Sequence, residues 1–315
     1  MRLLGKIVGW FAAFVVAVII VFVVWSNYRI SATETVAYDD GAPGRYITFG
    51  GHRWHYLTMG NVTGDSTGAP ILLLHGFILS GHESFATFKN KLAESRGVIA
   101  PDYLGYGHSE RVLEPGQHYE ISHTTKAIAA MLDEQGIQQV DVLGHSYGGV
   151  MAAQFALDYP QRVRRVVIMD SGQYVDISGT WIYQTGFGIG RAMAWHIISG
   201  PMSFLGNSCK RNPKCTWWPF GLIEDSTDAM RAAMYTNTNS PTYAALSGRL
   251  SEIAAPSLVI VGDRDFIVPV ADAERLKNEL QNAELVVIEG ARHMPYTGKP
   301  DETYKAVTDF LQPNT

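Results

Sequence analysis

The run Val140-Asp141-Val142-Leu143 is apolar enough to be a buried strand. It leads directly into Gly144-His145-Ser146-Tyr147-Gly148-Gly149 and then into the helix-compatible Val150-Met151-Ala152-Ala153-Gln154-Phe155-Ala156-Leu157. Few folds accept that spacing of glycines and serine between a strand and a helix. Such a sharp turn needs glycine two positions before and after the central residue, where strand and helix crowd each other, and it projects the serine hydroxyl from the top of the sheet. The same pattern occurs in Gly64-Asp65-Ser66-Thr67-Gly68, but that copy sits in a run of Gly, Asp, Ser and Thr that reads as a surface turn. Context therefore selects Ser146 as a candidate nucleophile and sets Ser66 aside.

The rest of the chain supplies a sheet to carry the turn. Ile71–Leu74, Val98–Ala100, Val140–Leu143, Val163–Met169, Leu258–Val261 and Leu285–Ile288 are short apolar runs rich in β-branched residues, too continuous for half-exposed strands. Most are separated by helix-compatible segments such as His123–Gln135 and Val150–Tyr159, so the fold class is α/β, a mainly parallel sheet with helices on both faces. Tyr46–Phe49 and Trp54–Thr58 flank Gly50-Gly51 and read as an antiparallel hairpin. The rhythm stops between Ser171 and about Leu250, where Trp181, Tyr183, Phe187, Trp195, Phe204, Trp217, Trp218, Phe220 and Tyr235 accumulate with Met193, Met202, Met230 and Met234. Ser226 or Thr227 suits the start of one helix there, and Ser240-Pro241 the start of another. We read residues 171–250 as a helical cap inserted between core segments 33–170 and 251–315. Its aromatic residues build the cap's own core and together predict an apolar pocket.

A serine hydroxyl is a poor nucleophile until a base takes its proton, so the turn calls for a histidine and a carboxylate in the chain order Ser, acid, His. His293 lies on a loop directly after a core strand, in Glu289-Gly290-Ala291-Arg292-His293-Met294-Pro295. The acid belongs at the end of an earlier strand, which leaves Asp263, Asp265 and Asp170 open; Asp263 also suits a plain turn. Leu72-Leu73-Leu74-His75-Gly76-Phe77 ends a strand in a tight turn, from which the backbone N–H of Phe77 can converge with that of Tyr147 on a developing oxyanion. His75 reads as support for that turn rather than as a base.

Four separated motifs in order, His75-Gly76-Phe77, Asp102-Tyr103-Leu104-Gly105-Tyr106-Gly107-His108-Ser109, Gly144 to Gly149, and Gly262 to Pro269 followed by His293, resemble the α/β-hydrolase fold family in its capped form, from about Arg45 to Leu311. The resemblance implies Asp265 as the acid and no cofactor. Membrane-anchored acylglycerol lipases are similar in architecture. Epoxide hydrolases and haloalkane dehalogenases share the fold but carry aspartate at the elbow, and Ser146 argues against both.

The N-terminus departs from ordinary soluble composition. Ile7 to Trp25 carries no charge, and as a helix it is about 28 Å long, close to the ~30 Å hydrocarbon core of a bilayer. A cleaved signal peptide is the rival reading, but the run is too long and lacks a small-residue cleavage site. Residues 1–32 are thus expected to form an uncleaved anchor through the bilayer. Trp10, Trp25 and Tyr28 stand near its ends, and Arg2 and Lys6 favour a cytoplasmic N-terminus with the catalytic domain on the far side. In that oxidising compartment Cys209 and Cys215, the only two cysteines, would close a loop by a disulfide. Two thiolates without nearby histidines do not make a metal site. Asn61-Val62-Thr63 is a glycosylation sequon, meaningful only in a host that glycosylates exported chains. A net charge of −5 spread along the chain offers no field for nucleic acid.

These features lead to a membrane-anchored serine hydrolase acting on a small-molecule substrate, a carboxylic ester with an apolar acyl or alcohol part. Aminopeptidase, thioesterase and carbon–carbon bond hydrolase activities use the same triad and stay open. A binding protein that kept the fold but lost the chemistry would be expected to lack a triad member, and none is missing.

Overall fold

The computed structural model describes residues 2–34, 42–62, 68–77, 81–175, 189–194 and 227–312. Eight strands form one sheet: β1 (Arg45–Phe49), β2 (His52–Met59), β3 (Ile71–Leu74), β4 (Val98–Pro101), β5 (Val140–His145), β6 (Val163–Met169), β7 (Ser257–Gly262) and β8 (Ala283–Ile288). Their order is β1-β2-β4-β3-β5-β6-β7-β8, with β1 and β2 antiparallel and the rest parallel. The chain moves outward from β3 to β4 and then returns to place β5 on the other side of β3. Such a reversal opens a crevice at the carboxyl ends of β3 and β5, where ligands of open α/β sheets bind.

Period-two alternation sends successive side chains to opposite faces, and each face is covered. Leu72 and Leu74 of β3 join Val142, Met151 and Phe155 in one core, whereas Ile71 and Leu73 join Leu143, Val167, Phe85 and Val307 in the other. The first core takes α3 (Ile121–Glu134), α4 (Tyr147–Asp158) and α8 (Val270–Glu279); the second takes α2 (Ala86–Ala93), α9 (Pro295–Gly298) and α10 (Pro300–Leu311). The run Leu285–Ile288 differs from expectation. It belongs to β8, the last strand of the sheet, and is half exposed along most of its length because no further strand covers its outer edge.

Between β6 and β7 the described residues contain no strand. They hold α5 (Ile189–Ala194), α6 (Thr227–Thr238) and α7 (Pro241–Leu246). Ser240 caps α7 by accepting a hydrogen bond from the Tyr243 N–H, with Pro241 in the first turn, as the Ser-Pro pair predicts. Most of the cap's aromatic residues, Cys209, Cys215, Ser66 and Thr63 of the sequon lie outside the described residues.

Helix α1 (Arg2–Glu34) continues well past the apolar run. From Gly5 to Phe22 its described side chains are exposed, while Ser26, Asn27 and Ile30, on one face near its end, are buried against α5 and α6. The span Gly5–Ala32 is long and apolar enough to cross a membrane.

At the opposite end of the sheet from the crevice, Asp141 of β5 is fully buried and receives the guanidinium groups of Arg96 and Arg164. Removing one partner of a buried pair leaves uncompensated charge. Asp141→Ala is expected to lower unfolding free energy by about 3 kcal/mol or more, read from urea denaturation, with turnover of the folded enzyme unchanged.

Candidate active site

Ser146 follows β5 with φ +54° and ψ −117°, a conformation L-residues rarely adopt. Its N–H donates to the Met169 carbonyl (2.9 Å), extending the β5–β6 ladder by one bond, and its carbonyl accepts from the N–H groups of Gly149 (2.9 Å) and Gly172 (3.1 Å). The glycines explain why the turn closes. A Cβ on Gly144 would stand 1.9 Å from the Gly148 carbonyl oxygen, and one on Gly148 would stand 1.9 Å from that of Leu74. The start of α4 is therefore pressed onto the end of β3, where the His75-Gly76-Phe77 turn begins. The rings of Phe77 and Tyr147 meet edge to face at 5.6 Å.

His293 Nε2 lies 3.1 Å from Ser146 Oγ, and its Nδ1 lies 2.7 Å from Asp265 Oδ2. The order of contacts is hydroxyl, imidazole, carboxylate. Burial pushes the Asp265 carboxyl up, but hydrogen bonds from His293 and from the N–H groups of Ile267 and Val268 outweigh it and hold the carboxyl below its usual range. Asp263 instead accepts from the Gly290 N–H (2.6 Å) and braces the loop before His293.

Asp170 comes close without touching the imidazole. It ends β6 with φ +42°, is buried, and accepts from the Gly262 N–H (3.0 Å). One of its carboxyl oxygens lies within 4.8 Å of an Asp265 oxygen and a His293 ring nitrogen. Burial, with the Asp265 charge beside it, pushes the Asp170 carboxyl up to about 9, so it stays protonated at neutral pH while Asp265 is ionised. Two adjacent carboxyls are thus held in opposite charge states.

His145, a residue the sequence pattern left unassigned, positions the histidine loop. Its Nε2 donates to the His293 carbonyl (2.6 Å), and burial lowers its ring to about 3, keeping it neutral. Gly262 allows the same approach, since a Cβ there would stand 2.5 Å from the Ala291 carbonyl oxygen. His75 is likewise neutral, lowered to about 4 by burial; Nδ1 donates to the Gly76 carbonyl and Nε2 accepts from the Tyr103 N–H. It supports the turn.

Two groups among the described residues have metal-ligand composition: Asp170, Asp265 and His293, and buried His55, His82 and Asp102. Both ring nitrogens of His293 are engaged in the contacts above. In the second group His55 bonds Asp102 and the Pro43 carbonyl, and His82 bonds Asp102 and Glu83. Every ring nitrogen there already faces an oxygen, so the cluster braces the Asp102–Ser109 loop.

With this geometry the comparisons are decisive about family. A family model described as alpha/beta hydrolase fold matches residues 69–189, and one described as TAP-like protein matches residues 202–315. A 2-hydroxymuconate semialdehyde hydrolase of Pseudomonas putida is 38% identical over 276 residues, covering 85% of this chain and 94% of its own. The chain belongs to the α/β-hydrolase fold family. Lipase 1 of Psychrobacter immobilis is 23% identical over 272 residues, covering 83% of this chain and 82% of its own. A crystal structure described as a membrane phospholipase A superposes with a TM-score of 0.63 at 20% identity, over 98% of this chain and 97% of its own. This α/β hydrolase is an enzyme of hydrolase type.

Asp170→Asn tests the split between the two carboxyls. The native Asp170 keeps its proton up to about 9 whereas the unfolded chain releases it near 3.8, so native stability contributed by this group falls as pH rises between those values. The melting temperature of Asp170→Asn is expected to exceed that of the natural enzyme by a margin that grows from pH 4 to pH 9. A constant margin would mean that Asp170 is ionised in the folded protein.

Proposed function

We propose that this α/β hydrolase is a membrane-anchored serine hydrolase that cleaves a carboxylic ester with an apolar acyl or alcohol part. The observation that carries the reading is the unbroken contact from Ser146 Oγ to His293 Nε2 (3.1 Å) and from His293 Nδ1 to Asp265 Oδ2 (2.7 Å). Ser146 attacks the ester carbonyl as His293 takes its proton. The tetrahedral oxyanion is held by the backbone N–H groups of Phe77 and Tyr147, and the alcohol leaves with the proton from His293. Water, deprotonated by the same imidazole, then cleaves the acyl-serine. Asp265 fixes the His293 tautomer and stabilises the imidazolium in both halves.

We infer that the insert between β6 and β7, of which α5, α6 and α7 are described, serves as a cap for this site. An apolar substrate fits the aromatic rings of Phe77, Tyr103, Tyr106 and Tyr147, which meet one another beside the elbow. The lipase and phospholipase names among the similar proteins support an ester. The 38% identity to a 2-hydroxymuconate semialdehyde hydrolase favours carbon–carbon bond hydrolysis as the second reading. The apolar N-terminal helix supports the ester, because a substrate that partitions into lipid gives an enzyme a reason to reside at a bilayer.

A fluorophosphonate probe is expected to label the natural enzyme and to leave Ser146→Ala unlabelled; undiminished labelling of the variant would place the nucleophile elsewhere. Asp265→Asn is expected to lower kcat on p-nitrophenyl esters by about 10⁴, and Asp170→Asn by little. Faster turnover of 2-hydroxymuconate semialdehyde than of any p-nitrophenyl ester would favour the second reading.

The anchor runs from residue 7 to 25, with the N-terminus cytoplasmic and the catalytic domain beyond the membrane. Protease added to the periplasmic or luminal side of sealed vesicles is expected to digest the domain. Digestion only from the cytoplasmic side would reverse the orientation.

A further inference from the structure

The end of α1 is held by the cap through contacts that a free anchor does not need. Ser26, Asn27 and Ile30 are buried on one face, at the i, i+1 and i+4 spacing that lines a single helical stripe together with half-buried Val23. Ser26 Oγ and Asn27 Nδ2 donate back to the carbonyls of Phe22 and Val23. Arg191 of α5, itself buried, donates through Nη1 to the Asn27 carbonyl (3.0 Å) and to Ser31 Oγ (3.1 Å). Its Nε donates to both carboxylate oxygens of Asp228 on α6 (2.8 and 2.9 Å), and Arg231 donates to Asp228 as well (3.0 Å). One guanidinium thus joins α1, α5 and α6.

Helix α6 carries that junction to the catalytic serine. Ala229 lies against Gly105, where a Cβ would approach it to 2.8 Å, and Thr236 Oγ1 accepts from the Gly116 N–H (3.3 Å). Ser240, just beyond the helix, bonds Glu120 of the core. The Asn237 side chain stands beside the hydroxyl of Tyr147, the residue after Ser146. From Asp228 to Asn237 is roughly 14 Å at helical rise. In the other direction Asn27 lies only about 3 Å along the axis beyond Trp25, the last residue of the apolar run. With the charge-free run 7–25 in a bilayer, the clamp would stand near the membrane–water boundary, and the elbow lies about one short helix away from it.

We propose that the Arg191–Asp228 clamp and the buried stripe of α1 lock cap and anchor into one rigid unit that holds the catalytic crevice at the bilayer surface, and that the substrate is an amphiphilic ester taken from that bilayer rather than from bulk water. The substrate half rests on the serine-hydrolase reading above; the docking half does not. A flexible tether would keep the enzyme near the membrane but leave the crevice free to tumble. A docked helix fixes its height and direction, so an ester leaving the bilayer meets Ser146 without crossing water.

The test uses the full chain reconstituted in phosphatidylcholine vesicles and two substrates with one chromophore, p-nitrophenyl butyrate in solution and p-nitrophenyl palmitate dissolved in the vesicles. Arg191→Met breaks the clamp from the cap side. Ile30→Glu drives the helix off from the anchor side and leaves every contact within the cap intact. Each variant is expected to lose about tenfold or more on the palmitate, as misplacement of a reacting group does, and to keep the butyrate rate within about twofold. Equal losses on both substrates, or an unchanged palmitate rate, would overturn the proposal. Amide exchange over residues 26–32 decides the docking separately: protection is expected to fall about tenfold in Ile30→Glu, and equal protection would refute the lock. If the natural enzyme turns over neither ester, the ester reading fails and the substrate half with it, while the exchange comparison still decides the docking.

Discussion

The strained turn at Ser146 is the constraint around which the other elements are arranged. A non-glycine residue at φ +54° persists only when its surroundings over-determine it. Here the determinants are the β5–β6 ladder that captures its N–H, the α4 and Gly172 amides that capture its carbonyl, and two glycine contacts that no side chain would permit. The same close approach brings the end of β3 against the start of α4. The turn after β3 and the serine after β5 thereby share one crevice at the point where strand order reverses.

Around that turn the fold sorts chemically identical groups by environment. Asp265 and Asp170 are neighbours, yet backbone amides and an imidazole keep one ionised while burial keeps the other protonated. His293 keeps both nitrogens in the contact chain, whereas His75 and His145 are buried neutral and serve as braces. A second full charge beside Asp265 would compete for the imidazole, so a neutral Asp170 is compatible with a single, directed Asp265–His293 bond.

The insert between β6 and β7 and the N-terminal helix extend this logic outward. α6 touches the Gly105 loop, the α3 entrance and Tyr147, and at its other end it shares Asp228 with Arg191 and, through Arg191, with α1. A helix bonded at both ends transmits position, and the apolar N-terminal helix is thereby referenced to the elbow.

Much of this was legible in the residues because it obeys local rules. The strand, glycine turn and helix around Ser146, the alternation that makes a parallel sheet, the Ser-Pro start of α7 and the apolar N-terminal span all depend on neighbours in sequence, so periodicity and turn chemistry revealed them. The edge position of β8 was not legible, because an apolar run looks the same whether or not another strand lies beside it. Nor could the residues alone separate Asp265 from Asp170, show His145 holding the His293 loop, or bring Arg191 onto Asn27. Those outcomes depend on burial and on contacts between residues far apart in the chain. Desolvation and hydrogen-bond geometry act through space, and they exist only once the sheet has closed.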